Sequence, residues 1–326
     1  MAIPLLLTGP SMPFVRHQLE ARFQVHDLHG ADDKAAFLEK VGPAIRAVAT
    51  AGSAGVDAAL MGRLPALEIV AHFGVGYDPV DVNHAAGAGV VVTNTPDVLT
   101  EEVADTAMGL LLMAVRELSA AERWVRAGRW ERDGAYRLTR GSLKGRRLGI
   151  FGLGRIGLAI ARRAEAFGLS IAYHNRRKVA DAPYAYHDTL VGLAAAVDTL
   201  MVVAPGGAAT RHAVNAAVLE ALGPEGVLVN IGRGTVVDEA ALVAALEAGR
   251  LLGAGLDVFE AEPRIHPGLM TRDDVVLLPH VGSASVPTRE AMGQLQVDNL
   301  LAWFDGRGPL TPVPETPVPA RFTRGG

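Results

Sequence analysis

The chain contains no cysteine. That excludes a disulfide framework, a thiolate nucleophile, Cys-ligated zinc and Cys-ligated iron–sulfur clusters. It is compatible with the cytosol, although a chain without thiols is indifferent to redox compartment. Long apolar runs are missing too. The longest, Met108 to Val115, falls far short of the roughly 20 residues a membrane-spanning helix needs. The start, Met1-Ala2-Ile3-Pro4-Leu5-Leu6-Leu7, has no basic n-region, and its apolar stretch is shorter than a signal-peptide core. There is no excess of one charge either: 31 Lys plus Arg against 35 Asp plus Glu give a net charge of -4. Without a global basic field, bulk binding to DNA, RNA or anionic membrane is disfavoured, while a local basic pocket stays possible. The expectation is a soluble cytoplasmic protein.

What is present describes a folded one. Hydrophobic residues make up 49% and charged residues 20% of 326 residues, and that length suggests two domains. Short apolar runs alternate with Ala/Leu-rich stretches of helical spacing. Strands are expected at Ile3–Leu7, Ala44–Ala49, Glu68–His72, Val90–Thr93, Arg147–Phe151, Ser170–His174, Asp198–Val203, Gly226–Ile231, Leu252–Asp257 and Val275–Leu278. Several are apolar at consecutive positions, as strands buried on both faces are. Strand–helix alternation of this kind is the α/β class with parallel sheets.

The segment 94–143 breaks the rhythm. Thr100-Glu101-Glu102 reads as a helix start, with acidic residues at the positive end. A long helix is expected from there to about Arg129, followed by a polar, aromatic arm through Trp130, Arg132 and Tyr136. Two of the three Trp, Trp124 and Trp130, fall here. Such an excursion fits a subunit interface and fits equally a helix packed on its own domain. A last helix is expected over Pro287–Asp305, and the Pro- and Thr-rich stretch from Gly308 as an extended or disordered end.

Arg147–Phe151 runs directly into Gly152-Leu153-Gly154-Arg155-Ile156-Gly157 and then into a helical stretch. In that context the glycines have distinct duties: Gly152 the tight turn, Gly154 room for a pyrophosphate, Gly157 close helix–strand packing. Helix N-terminal amides then face phosphate. The next strand ends in Asn175-Arg176-Arg177, with Lys178 behind. A carboxylate there would bond a ribose hydroxyl pair and repel a 2′-phosphate. A neutral Asn followed by two Arg forks favours NADP(H) over NAD(H), against the alternative of a solvated basic loop.

Three further blocks place polar residues just after expected strands: Asn230-Ile231-Gly232-Arg233-Gly234, Asp257-Val258-Phe259-Glu260-Ala261-Glu262-Pro263, and Pro279-His280-Val281-Gly282-Ser283. With these in order over about residues 40–305, the chain resembles the D-2-hydroxyacid dehydrogenase family, and within it the NADP-preferring glyoxylate/hydroxypyruvate reductases. The resemblance implies two Rossmann-like domains, flavodoxin-like and dinucleotide-binding, with parallel sheets and an inter-domain cleft. Residues 1–97 plus 286–326 would bind substrate; residues 98–285 would bind NAD(P), with a dimerisation arm at about 119–145 and a homodimer as the assembly.

It implies Arg233, Glu262 and His280 as the catalytic set. An unperturbed imidazole changes charge near neutrality, so a histidine such as His280 suits the acid/base role; Glu262 would orient it and favour the imidazolium; Arg233 would polarise the carbonyl. Glu260 competes with Glu262, and only the family pattern, which puts the acid before Pro, chooses between them. Val75 and Gly76, in the loop from Phe73 to Asp78, would hold the substrate carboxylate with Arg233 and His280. The cofactor would meet Thr106, Leu153, Gly154, Arg155, Ile156, Asn175, Arg176, Arg177, Ala204, Pro205, Thr210, Ile231, Gly232, Asp257, His280 and Gly282. The glycines beside Arg233 would let backbone run close to the cofactor. Gly206-Gly207, where many relatives carry larger residues, would thin the adenine wall. Ser53, Ala54 and Gly55 are candidates for the acyl pocket, and Trp130 for capping a partner's active site. No metal is expected.

The expected reaction is NADPH-dependent reduction of glyoxylate or hydroxypyruvate to the D-hydroxy acid. Alternatives are a reductase of bulkier 2-oxo acids such as phenylpyruvate, a nucleotide-sensing corepressor-like protein, and, ranked low, a phosphoglycerate dehydrogenase.

Overall fold

The structure, a computed structural model, describes residues 2–52 and 54–323. Ser53 lies outside the described residues. The chain divides into two compact units, Met1–Leu99 with Ser285–Gly326, and Thr100–Ala284.

The first unit is built on five parallel strands: β1 (Ile3–Leu7), β2 (Phe23–Asp27), β3 (Ala47–Ala51), β4 (Ile69–Phe73) and β5 (Val91–Thr93). Their order is β2-β1-β3-β4-β5, the flavodoxin-like order, which changes direction between β1 and β3. Both faces are covered. On one, Leu6, Val48, Val70 and Val92 pack beneath the short helices of the crossovers. On the other, Leu5, Ala47, Ile69 and Val91 meet Val297, Leu300 and Trp303 of the helix Val286–Phe304. Ser285 caps that helix by accepting from the Thr288 amide, and Pro287 stands in its first turn, where no amide is needed.

The second unit carries seven parallel strands: β6 (Arg147–Phe151), β7 (Ser170–His174), β8 (Ala185–Tyr186), β9 (Thr199–Val202), β10 (Val227–Asn230), β11 (Gly253–Leu256) and β12 (Val275–Leu277). The order β8-β7-β6-β9-β10-β11-β12 is the doubly wound Rossmann arrangement with one strand added, its direction changing between β6 and β9. β6, β9, β10 and β11 are buried almost throughout. Gly149 and Gly255 are small because the helix layers come close: a Cβ would lie 3.0 Å from Leu193 in the first case and 3.2 Å from Leu110 in the second. At the amino ends of the strands, buried Arg146 donates to the carbonyls of Asp198 and Glu225, both at 2.6 Å.

Three expectations are corrected. The single long helix to Arg129 is in fact three: Thr100–Arg116, Leu118–Arg126 and Arg129–Asp133. The chain turns left-handed at Glu117 (φ 51°), whose buried carboxylate accepts from Tyr136 Oη at 2.8 Å and Arg137 at 3.0 Å. Two strands, β2 and β8, were not anticipated. Residues 309–323 are ordered against the rest of the first unit: Thr93 and Pro312 form an antiparallel bridge, Val313 and Thr316 are buried, and a helical turn follows at Ala320–Thr323.

Candidate active site

The glycine turn leaves β6 as its sequence requires. Gly152 has φ 105°, and a Cβ there would sit 2.6 Å from Ala204 N; one on Gly157 would sit 2.4 Å from Gly152 O. A Cβ on Gly154, by contrast, would meet nothing within 4 Å. Gly154 precedes the helix Arg155–Ala166, which no side chain caps. An open, uncapped helix start beside a glycine turn is the right cradle for a dinucleotide pyrophosphate. Leu153 is buried and Ile156 half-buried here, with Arg155 exposed.

Asn175, just past β7, points into this turn. Its Oδ1 accepts from Leu153 N at 2.6 Å and its Nδ2 donates to Leu153 O at 3.3 Å. Arg176, Arg177 and Lys178 follow, exposed, and none makes an ion pair among the described residues. After β9, Ala204 is buried and Pro205 exposed; Thr210 Oγ1 donates to Pro205 O at 2.6 Å and so shapes that loop.

After β10, Asn230 fixes the turn carrying Arg233. Its Oδ1 accepts from Gly232 N at 3.1 Å and its Nδ2 donates to Arg233 O at 3.0 Å. Ile231 and Gly232 are buried and Arg233 is half-buried. The glycines beside Arg233 answer to neighbouring backbone: a Cβ on Gly232 would lie 2.7 Å from Ala204 O, and one on Gly234 only 1.8 Å from Phe259 C. Close chain-to-chain packing requires glycine at both positions.

The loop after β11 holds two glutamates with separate partners. Glu260 Oε1 pairs with Arg211 at 2.8 Å and His212 Nε2 at 2.6 Å. Glu262 Oε1 accepts from Phe259 N at 2.9 Å, and its Oε2 lies 2.8 Å from His280 Nδ1. A carboxylate only accepts, so Nδ1 carries the proton and Nε2 is left for chemistry; it has no hydrogen-bond partner among the described residues. Burial pushes the Glu262 carboxyl up, but the bonds from His280 and Phe259 N and the charges of His280 and Arg233 outweigh it and hold it below its ordinary value. His280 itself is half-exposed in left-handed backbone, φ 54°.

Asp257 holds that backbone in place. It is 1% exposed, and its two oxygens accept from Val281 N at 2.7 Å and Gly282 N at 2.8 Å. Burial raises its pKa despite those two bonds. Gly282 is required because a Cβ would fall 2.9 Å from Asp257 Oδ2, and Thr106 Oγ1 reaches Gly282 O at 3.4 Å. Asp257, expected as a contact of the nicotinamide amide, uses one acceptor position of each oxygen on the His280 loop.

In the first unit, β4 runs into Gly74-Val75-Gly76-Tyr77. The N–H groups of Val75, Gly76 and Tyr77 have no acceptor among the described residues. Consecutive unpaired amides form an anion-binding concavity. The residues that shape it, His72, Asn94 and Thr95, carried no functional signal in the sequence.

A Rossmann sheet with a glycine-turn cradle, and an Arg, a Glu–His pair and an Asp at the carboxyl ends of its strands, is the arrangement of a nucleotide-linked oxidoreductase. Residues 108–282 match the family model for the NAD-binding domain of D-isomer-specific 2-hydroxyacid dehydrogenases. A glyoxylate/hydroxypyruvate reductase of Arabidopsis thaliana is 48% identical over 96% of this chain and 99% of its own. A hydroxyphenylpyruvate reductase of Plectranthus scutellarioides is 47% identical with the same coverage. Among solved structures, an NADPH-dependent glyoxylate/hydroxypyruvate reductase from Sinorhizobium meliloti, in complex with NADP and malonate, is 57% identical. It superposes with a TM-score of 0.93 over 97% of this chain and 98% of that one. The chain belongs to the D-isomer-specific 2-hydroxyacid dehydrogenase family.

Proposed function

We propose that this protein reduces small 2-oxo acids, glyoxylate and hydroxypyruvate, to D-2-hydroxy acids with NADPH. The carrying observation is the His280–Glu262 pair at 2.8 Å, with Nε2 of the histidine left for substrate. When bound, NADPH supplies the hydride. His280, as imidazolium, gives its Nε2 proton to the carbonyl oxygen as charge develops there. Glu262 holds the ring by Nδ1 and favours the charged form. Arg233 binds the substrate and stabilises the developing oxyanion, and the amides of Val75 and Gly76 take the carboxylate.

The cradle at Leu153, Gly154, Arg155 and Ile156 takes the pyrophosphate. Arg176 and Arg177, exposed and without ion-pair partners among the described residues, take the 2′-phosphate that distinguishes NADPH. Ala204, Pro205, Thr210, Ile231 and Gly232 line the remainder of the cofactor's path. Asn175, Thr106, Asp257 and Gly282 act by fixing the loops the cofactor touches.

The protein acts as a homodimer in the cytoplasm, joined through residues 119–145. Val125 (53% exposed), Trp130 (64%) and Leu138 (96%) give that arm an apolar surface suited to a second copy. Among the described residues, no helix is long and apolar enough to cross a membrane.

Initial rates of NADPH and NADH oxidation with glyoxylate, hydroxypyruvate and phenylpyruvate test the reading. NADPH-dependent turnover of the two small acids supports it. Turnover only with phenylpyruvate moves the substrate to the bulky class, and tight nucleotide binding without turnover favours a sensor.

A further inference from the structure

Each peptide of the loop Gly74–Tyr77 is held by its carbonyl. Gly74 O accepts from Thr95 N at 2.9 Å, Val75 O from Asn94 Nδ2 at 2.9 Å, and Gly76 O from His72 Nε2 at 3.0 Å. In a trans peptide the C=O and the following N–H point in opposite directions. Anchoring these three oxygens therefore aims the N–H groups of Val75, Gly76 and Tyr77 to the other side, as a set.

The anchors are themselves held. His72 is 2% exposed, and because Gly76 O can only accept, Nε2 carries the proton; Nδ1 then meets Thr50 Oγ1 at 2.8 Å. Gln296 donates to Thr50 O and Ala71 O, each at 2.8 Å, and fixes the two strands on which this pair stands. A Cβ on Gly74 would lie 2.8 Å from His72 Nε2, so the ring and the loop are in direct contact.

Asn94 is bracketed by the C-terminal segment. Its amide donates to Thr311 O at 3.2 Å, and its carbonyl accepts from Thr311 Oγ1 at 2.6 Å. Asn299, buried in the last long helix, secures Thr311 in turn, its Oδ1 accepting from Thr311 N at 3.0 Å. At the far end of the loop, Tyr77 Oη donates to Glu315 at 3.0 Å. Burial and that carboxylate push the phenol up to about 12, so it remains a donor at every working pH.

We propose that His72 from below, and the segment Leu310–Thr316 acting through Asn94 and Tyr77, are positioning elements for substrate: they aim the three loop amides at the carboxylate of the 2-oxo acid. The proposal rests on the reading of this loop as the carboxylate site. The amides hold that carboxylate equally in ground and transition states, so misaiming them raises KM and leaves kcat nearly unchanged.

The test uses the full chain with glyoxylate and NADPH, alongside amide-resolved NMR of the wild type titrated with oxamate, an unreactive 2-oxo acid analogue. Asn94→Asp and His72→Met each raise KM for glyoxylate about tenfold, the worth of roughly one hydrogen bond. Dissociation of NADPH stays within about twofold, because its site is formed by other residues. His72→Gln, which keeps a donor for Gly76 O, recovers most of the loss; a merely structural histidine would not be rescued in this way. Thr311→Val, a change of one hydroxyl for a methyl, raises KM about threefold with melting unchanged, and answers the question even where His72→Met fails to fold. If the Val75, Gly76 and Tyr77 resonances move with oxamate while KM is unaltered in these variants, the positioning role is overturned and the carboxylate site stands. If those resonances do not move at saturating oxamate, both fall.

Discussion

Asn175 and Leu153 exchange two hydrogen bonds, the side-chain oxygen accepting at 2.6 Å and the side-chain nitrogen donating at 3.3 Å. An aspartate could make only the first and would set a negative charge against the Leu153 carbonyl. Asn175→Asp is therefore expected to loosen the glycine turn and to repel a 2′-phosphate together. The expected outcome is a fall in kcat/KM with NADPH of about tenfold or more, and a smaller fall with NADH. Paired initial-rate measurements with both nucleotides check it.

The neighbouring arginines give a cleaner contrast, since they hold up no part of the fold. Arg176→Ala combined with Arg177→Ala should cost NADPH about 10- to 100-fold in kcat/KM, the loss of charge-assisted hydrogen bonds, and leave NADH within about twofold. Equal losses with both nucleotides would remove the 2′-phosphate assignment.

His280→Gln should lower kcat by about 10²–10⁴-fold with little change in NADPH affinity. Stopped-flow hydride transfer together with a nucleotide titration separates the two effects.

Glu262→Gln should lower kcat and shift the basic limb of the reduction pH profile to lower pH, because the imidazolium loses its anion. The carboxyl of Glu262 is held below its ordinary value. For a depressed acid the stabilisation is present above the unfolded-state value of about 4.3 and is lost as pH falls through the folded one. Wild type should thus lose more stability than Glu262→Gln on acidification below about pH 4.5, as read by urea unfolding at several pH values.

Gly234→Ala should be strongly destabilising, by about 2 kcal/mol or more. A Cβ there falls 1.8 Å from Phe259 C, and backbone has no rotamer by which to escape. Thermal unfolding measures the cost, and a parallel drop in kcat would reflect displacement of the Glu262 loop.

The sequence was most informative where burial is complete. Ten strands were visible because parallel strands covered on both faces are buried throughout and carry runs of consecutive apolar residues, as Leu200–Val202 and Val227–Val229 do within Thr199–Val202 and Val227–Asn230. β2, reading Phe-Gln-Val-His-Asp, buries only its first residue fully at a sheet edge, and β8 has two residues, so neither carries that signal. The helix break at Glu117 has no Gly or Pro to announce it; its partners lie about twenty residues further on. At the site, motif spacing led to His280 and Glu262 but could not separate Glu262 from Glu260. In the structure each has its own histidine, Glu262 with His280 and Glu260 with His212. His72 was hidden because one histidine in an apolar strand is, by sequence, just another core position. The segment after Gly308 was misjudged because what orders it is hydrogen bonding to residues more than two hundred positions away.

That segment has a second consequence, for solubility. β5 is one of the two edge strands of its sheet, and an open edge invites another chain to pair. Here Val92 N is taken by Thr316 Oγ1, Val92 O by Val313 N, and the groups of Asn94 by Thr311. The covering chain is punctuated by Pro312, Pro314 and Pro317, which have no N–H to offer a further strand. On this side the sheet thus ends in a border that resists extension, closing one edge to edge-to-edge pairing with another chain.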